Sequence, residues 1–83
     1  MNRAELFEGV VKILGAHAEN KSALAAVTER THVLDDLKVN SARLVDVVLL
    51  FEDTWGIEIA DEDIDGIATV GDCVDLIGAK LGG

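Results

Sequence analysis

The stretch NSARLVDVVLLFEDTWG, residues 40–56, decides the architecture. Leu44, Val48, Phe51 and Trp55 recur at three- and four-residue intervals, which line one side of an α-helix. Asn40 or Ser41 supplies the start, because a short polar side chain can accept from the free amides of a first turn, and Gly56 supplies the stop. The stretch predicts a helix over 41–55 whose apolar stripe needs something to pack against.

The flanking sequence offers more helices. Asn2 with Glu5 reads as a capping pair, and Leu6, Val10, Ile13 and Leu14 follow at helical spacing, predicting a helix over 3–17. From Glu19 to Lys38 the pattern weakens: Ser22 to Glu29 has helix-forming composition, but Thr31, His32 and Val33 do not. This reads as a long ordered connection anchored by Val27, Val33, Leu34 and Leu37. Beyond Gly56, Ile57, Glu58 and Ile59 alternate, too few residues for a strand with nothing to pair with, so they form an extended link. Asp61 to Ile67 predicts a short acidic helix. Thr69 with Asp72 forms a second capping box and opens a helix over 70–81, carrying Val70, Cys73, Val74, Ile77 and Leu81 and closed by glycines. The expected fold is all-α: one domain over residues 1–83, a compact bundle of three longer helices and one short one.

Eighty-three residues bury about 60–65% of the surface an unfolded chain exposes, which leaves little room for a deep catalytic pocket. No apolar run approaches a membrane span, Met1 is followed by polar residues rather than a signal-type segment, and Cys73 has no partner for a disulfide. Cys73 reads as a small core residue. These features lead us to expect a cytoplasmic monomer. The net charge of −9 repels nucleic acid and favours partners with basic surfaces. It is also uneven: twelve of the sixteen acids lie between Asp35 and Asp75, with only two of the seven bases, Lys38 and Arg43.

The segment Leu37-Lys38-Val39-Asn40-Ser41-Ala42-Arg43-Leu44-Val45-Asp46 resembles the signature of acyl carrier proteins, a Leu-Gly-x-Asp-Ser-Leu pattern at the start of a second helix. The likeness continues in register to Ile77. Asp35 and Asp36 resemble the acidic lead-in, Phe51, Glu52, Asp53 and Trp55 the end of helix two, Glu58 to Asp63 the Glu-Ile-Pro-Asp segment, and Ile67, Thr69, Val70, Val74 and Ile77 the last helix. The resemblance implies that Ser41 holds a 4'-phosphopantetheine arm delivered from coenzyme A by a separate phosphopantetheinyl transferase. It further implies a non-enzymatic carrier of acyl thioesters for fatty acid, lipid or polyketide synthesis, visited by acyl-transferring and acyl-modifying enzymes with basic surfaces. A helix N-terminus suits the phosphodiester, with free amides and the positive end of a dipole.

Around Ser41 the chain departs from the pattern: Asn40 replaces an acid, Ala42 a leucine, and Arg43 an acid. Together with Asp36 they complete the partner contacts expected around Ser41. Further along helix two, Asp46 and Asp53 fall within about 20° of one another, with Leu49 and Leu50 to either side, as a partner surface would require. Both leucines packing against the long connection is the competing expectation. Val45, Val48, Phe51, Ile59 and Ile67 are candidates to line a space for cargo, although the same residues serve equally as core.

Two other motifs compete. Asp61, Asp63, Asp65 and Gly66, with Asp72 at the twelfth position, follow the spacing of a calcium loop, against which stand Asp72 in place of Glu, Ala68 at the eighth position and the early stop at Gly56. The ending Leu81-Gly82-Gly83 resembles the tails of sulfur carriers and ubiquitin-like modifiers, but those folds need a sheet and this chain has helical periodicity. His17 and His32 have no motif about them and read as surface residues.

Overall fold

The structure is a computed structural model describing residues 2–82. Four α-helices follow in order: α1 (Arg3–His17), α2 (Ser41–Trp55), α3 (Asp61–Asp65) and α4 (Val70–Gly82), with one 3-10 helix, Lys21–Ala26, inside the connection between α1 and α2.

Helix α1 begins as its sequence requires. The Glu5 N–H donates to Asn2 Oδ1 at 2.9 Å and Asn2 Nδ2 donates to Glu5 Oε1 at 3.0 Å. Its buried stripe of Leu6, Val10 and Leu14 packs mainly against α4 and also against α2. Helix α2 contributes Leu44, Val47, Val48 and Phe51, and α4 contributes Val70, Cys73, Val74 and Ile77. Gly9 lets α1 meet Trp55 closely: a Cβ there would stand 2.7 Å from the indole ring. Burial pushes the Cys73 thiol up to about 12, so it is an inert core group.

The long connection is stitched at both ends of the bundle. Near the end of α1, the Glu19 N–H donates to the Lys38 carbonyl at 3.1 Å and Asn20 N–H to that of Leu37 at 3.0 Å, while Ala18 bridges Val39. Near the start of α4, Val33 N–H donates to Ala68 O at 3.0 Å, Val70 N–H to Thr31 O at 2.9 Å and Gly71 N–H to Glu29 O at 2.9 Å. Val33, Leu37 and Val39 are the buried anchors. Leu34, expected among them, is 40% exposed and does not anchor the connection. The hydrogen bonds of Thr31 and Val33 to the Ala68–Val70 turn fix the path here, and helical periodicity says nothing about such a path.

Two helix ends also differ from expectation. Helix α3 stops at Asp65 rather than Ile67, because Ile67 turns inward as a partly buried residue packed on the core. Helix α4 continues through Gly82, so the glycine stop does not act there, and Gly83, like Met1, lies outside the described residues.

Candidate functional site

Ser41 is the first helical residue of α2, and its position is set from behind. Leu37 and Val39 are both buried, so the backbone between them is pinned and Lys38 is turned outward with φ +56. Lys38 is the one non-glycine residue with positive φ among those described, a left-handed conformation costing roughly 1–2 kcal/mol in an L-residue. The chain then reaches Asn40, which caps the helix: Ala42 N–H donates to Asn40 Oδ1 at 2.8 Å, and Arg43 N–H to the Asn40 carbonyl at 2.8 Å. Ser41 is therefore not the cap. It is exposed, and among the described residues no hydrogen bond holds its hydroxyl.

Asn40 thus takes two of the amides that sequence reasoning leaves free for a phosphate. What remains is the helix dipole: α2 has no acid in its first turn, whereas α1, α3 and α4 each have at least one. Arg43 adds positive charge, its Nη1 standing 3.5 Å from Asp46 Oδ2 with both side chains at least half exposed. A phosphodiester on Ser41 would meet an electropositive, open environment, which the residues present fit.

The exposed arc of α2 runs on from Ser41. Val45 and Leu49 follow at four-residue steps, then Asp46 and Asp53, then Leu50 and Arg43, all within about 200° of the helix circumference. Val45 is 55% exposed, Leu49 53% and Leu50 39%. The leucines do not pack away against the connection. Val45 leaves the group of core and cargo-lining candidates, because it sits roughly 100° from the middle of the buried arc formed by Leu44, Val47, Val48 and Phe51. Of the other lining candidates, Val48 and Phe51 are buried and Ile59 and Ile67 are partly buried against the core. A surface cleft of about 440 Å³ lies instead by Arg3, Ala4, Phe7, Glu8 and Glu29, at the opposite end of α1 from Ser41.

Several acids are engaged in structure. Asp36 Oδ2 accepts the His32 N–H at 2.8 Å, closing the turn that delivers Leu37, and Glu52 Oε2 accepts the Ile59 N–H at 2.8 Å, holding the link after α2. Glu29, which periodicity does not mark, pairs with Arg3, and Arg3 also bonds Asp75 at 2.8 Å, tying the start of α1 to the connection and to the second turn of α4. The Arg3 guanidinium holds the Glu29 carboxyl below the usual carboxylate range.

The calcium-loop spacing does not become a calcium loop. Asp61, Asp63 and Asp65 lie on helix α3, which places Asp61 and Asp65 on one face and turns Asp63 to the opposite side. Asp63 accepts from Ala60 N–H at 3.0 Å and pairs with Lys80 at 3.1 Å. Asp72 accepts from Ala68 N–H at 2.9 Å and Thr69 N–H at 3.0 Å, and Thr69 Oγ1 accepts from Asp72 N–H at 3.1 Å, completing the capping box. Among the described residues no three acids, histidines or cysteines come together as a metal site. His32 is exposed and His17 partly so.

No protein-family model matches the chain. Full-length relatives do. The chain is 38% identical over 81 residues to an acyl carrier protein of Thermotoga maritima, covering 98% of both chains. It is 33% identical over 82 residues to one of Lactobacillus acidophilus, covering 99% of this chain and all of the other. A solved structure of the acyl carrier protein of Enterococcus faecalis superposes with a TM-score of 0.78 at 38% identity, over 96% of this chain and 99% of that one. With the bundle and the exposed serine at the head of its second long helix, these likenesses establish that the chain belongs to the acyl carrier protein family, whose members are carriers and not enzymes.

Proposed function

We propose that Ser41 is the attachment point of a 4'-phosphopantetheine arm, and that the protein presents acyl thioesters on it to enzymes of fatty acid, lipid or polyketide synthesis. The supporting observation is the placement of Ser41: exposed, unbonded, and first in a fifteen-residue helix whose opening turn holds no acid. Loading joins Ser41 Oγ to the β-phosphorus of coenzyme A, breaks the phosphoanhydride to release adenosine 3′,5′-bisphosphate, and passes the hydroxyl proton to the transferase. Ser41 needs no activating base of its own, because the transferase supplies it. The arm supplies a terminal thiol for thioester chemistry, and tethering gives the cargo a high local concentration at a docked active site.

The exposed arc of α2 supplies the docking face in this reading. Val45, Leu49 and Leu50 offer apolar contact, while Asp46 and Asp53 steer a basic partner. No helix among the described residues is long and apolar enough to cross a membrane.

Intact mass spectrometry after incubation with coenzyme A and a broad-range phosphopantetheinyl transferase tests the assignment. A single arm-sized mass increase is expected, absent from Ser41→Ala; an equal increase in that variant, or none in the parent, rejects Ser41. Replacing Asp46 and Asp53 together by Lys should slow loading about tenfold at low salt with little change in thermal stability, since both carboxylates are on the exposed arc. Unaltered loading kinetics would remove these two acids from the docking face.

A further inference from the structure

Between Asp35 and Asp75 the chain places twelve acids and two bases, and both bases lie within three residues of Ser41. Neither is neutralised. Lys38 is exposed, forced outward between two buried neighbours. The Arg43 contact with Asp46, at 3.5 Å and between side chains 66% and 50% exposed, is too long and too wet to cancel its charge. The positive end of α2 and an uncharged Asn40 cap add to the same spot. Ser41 thus sits in a small cationic island on an acidic surface.

We infer that Arg43, supported by Lys38, is a charge selector at the rim of Ser41, matching a protein partner that sets a carboxylate opposite Arg43 within an otherwise cationic docking face. This rests on the carrier reading above. A partner that is cationic throughout is drawn by Asp46 and Asp53 but meets like charge at the rim, which is discrimination by repulsion. Arg43 does not act on the reacting atoms; it sets which partner aligns with Ser41.

The test uses coenzyme A and a broad-range transferase with a basic docking face, followed by intact mass over time for the parent, Arg43→Glu, Lys38→Gln and Arg30→Glu. Arg30 is the control for net charge, since its neighbour Glu29 pairs with Arg3 at the far end of α1. Arg43→Glu should lower KM about fivefold at low salt with kcat unchanged, as expected for reversing one charge about 7 Å from a cation in water. The gain should fall below about twofold at 0.3 M salt. Lys38→Gln should give about twofold and Arg30→Glu less. A transferase bearing one docking-face Lys→Glu change should show the opposite order, loading the parent faster than Arg43→Glu. Arg43→Glu with an unchanged or higher KM, or an effect no larger than that of Arg30→Glu, overturns the selector while Ser41-dependent loading keeps the carrier reading intact. A change confined to the thermal stability of the loaded form assigns Arg43 to the phosphodiester and also overturns the selector. Absence of any adduct in all variants overturns both.

Discussion

The starts of α2 and α4 are built from similar parts, a polar cap and then a small residue at the second helical position, yet they end up in different surroundings. At α4, Thr69 and Asp72 satisfy one another's backbone, and Gly71 is pressed so closely on the Glu29 carbonyl that a Cβ would stand 2.9 Å from it. At α2, Asn40 caps alone, Ala42 and Ser41 face solvent, and the acid found in the first turns of α1, α3 and α4 is missing. The fold completes one terminus internally and leaves the other facing solvent, and that second terminus carries the candidate site.

The largest expected effect separates the two second positions. Gly71→Ala should cost about 2 kcal/mol, the usual range for overpacking, or roughly 8–16 °C in Tm for a domain of this size. Ala42→Leu, with open space around it, should stay within about 0.5 kcal/mol. Thermal unfolding followed by circular dichroism compares them, and equal losses would erase the contrast.

Next come the caps. Asp72→Ala should cost about 1–2 kcal/mol and Asn40→Ala about 1 kcal/mol, since Asp72 accepts two amides and the Asn40 side chain one. They differ further in pH dependence. The amides of Thr69 and Ala68 hold the Asp72 carboxyl below the usual carboxylate range. A depressed folded pKa means the unfolded chain binds the proton more readily; the contribution of Asp72 is complete above an ordinary carboxylate pKa of about 3.9 and is lost as pH falls through the folded value. Asn40 does not titrate. Urea midpoints measured down that acidic range should therefore converge for parent and Asp72→Ala, but keep their spacing for Asn40→Ala.

Smaller still is the charge term at α2. Asn40→Asp should stabilise the unloaded protein by about 0.3–1 kcal/mol by opposing the helix dipole, and attachment of a phosphodiester at Ser41 should do the same. In Asn40→Asp the gain on loading should shrink, because one anion already serves the terminus. A gain unaffected by the substitution would show that the dipole is not what the phosphodiester meets. Last, Lys38→Gly should raise stability by about 0.5 kcal/mol, the relief of a left-handed lysine less the entropy that glycine loses on folding.

Much of this was legible in the residues. The stripe of Leu44, Val48, Phe51 and Trp55 and the Thr69–Asp72 box name two helices without reference to anything else, because periodicity and capping are satisfied within a few residues. The resemblance around Leu37 to Asp46 pointed to Ser41 for the same reason: the motif is local. The misreadings share the opposite cause. Leu34 and Val45 are apolar but exposed, and which flank of a wide stripe is covered depends on where α1 and α4 lie. The competing calcium spacing fails because Asp63 and Asp72 find partners in Ala60, Lys80, Ala68 and Thr69, and helix α3 turns Asp63 away from Asp61 and Asp65. Asp36, Glu52 and Glu29 act through amides or an arginine that no sequence period connects to them.

By itself the sequence determined the long helices, the caps that open α1 and α4, the acidic field with its two bases beside Ser41, and the family, since each follows from short-range pattern or overall composition. Only the tertiary structure decided that Asn40 and not Ser41 caps α2, that Lys38 is held left-handed by buried neighbours, and that Val45, Leu49 and Leu50 remain uncovered. Those outcomes depend on which surfaces the packed helices bury, and burial is settled by contacts between residues far apart in the chain.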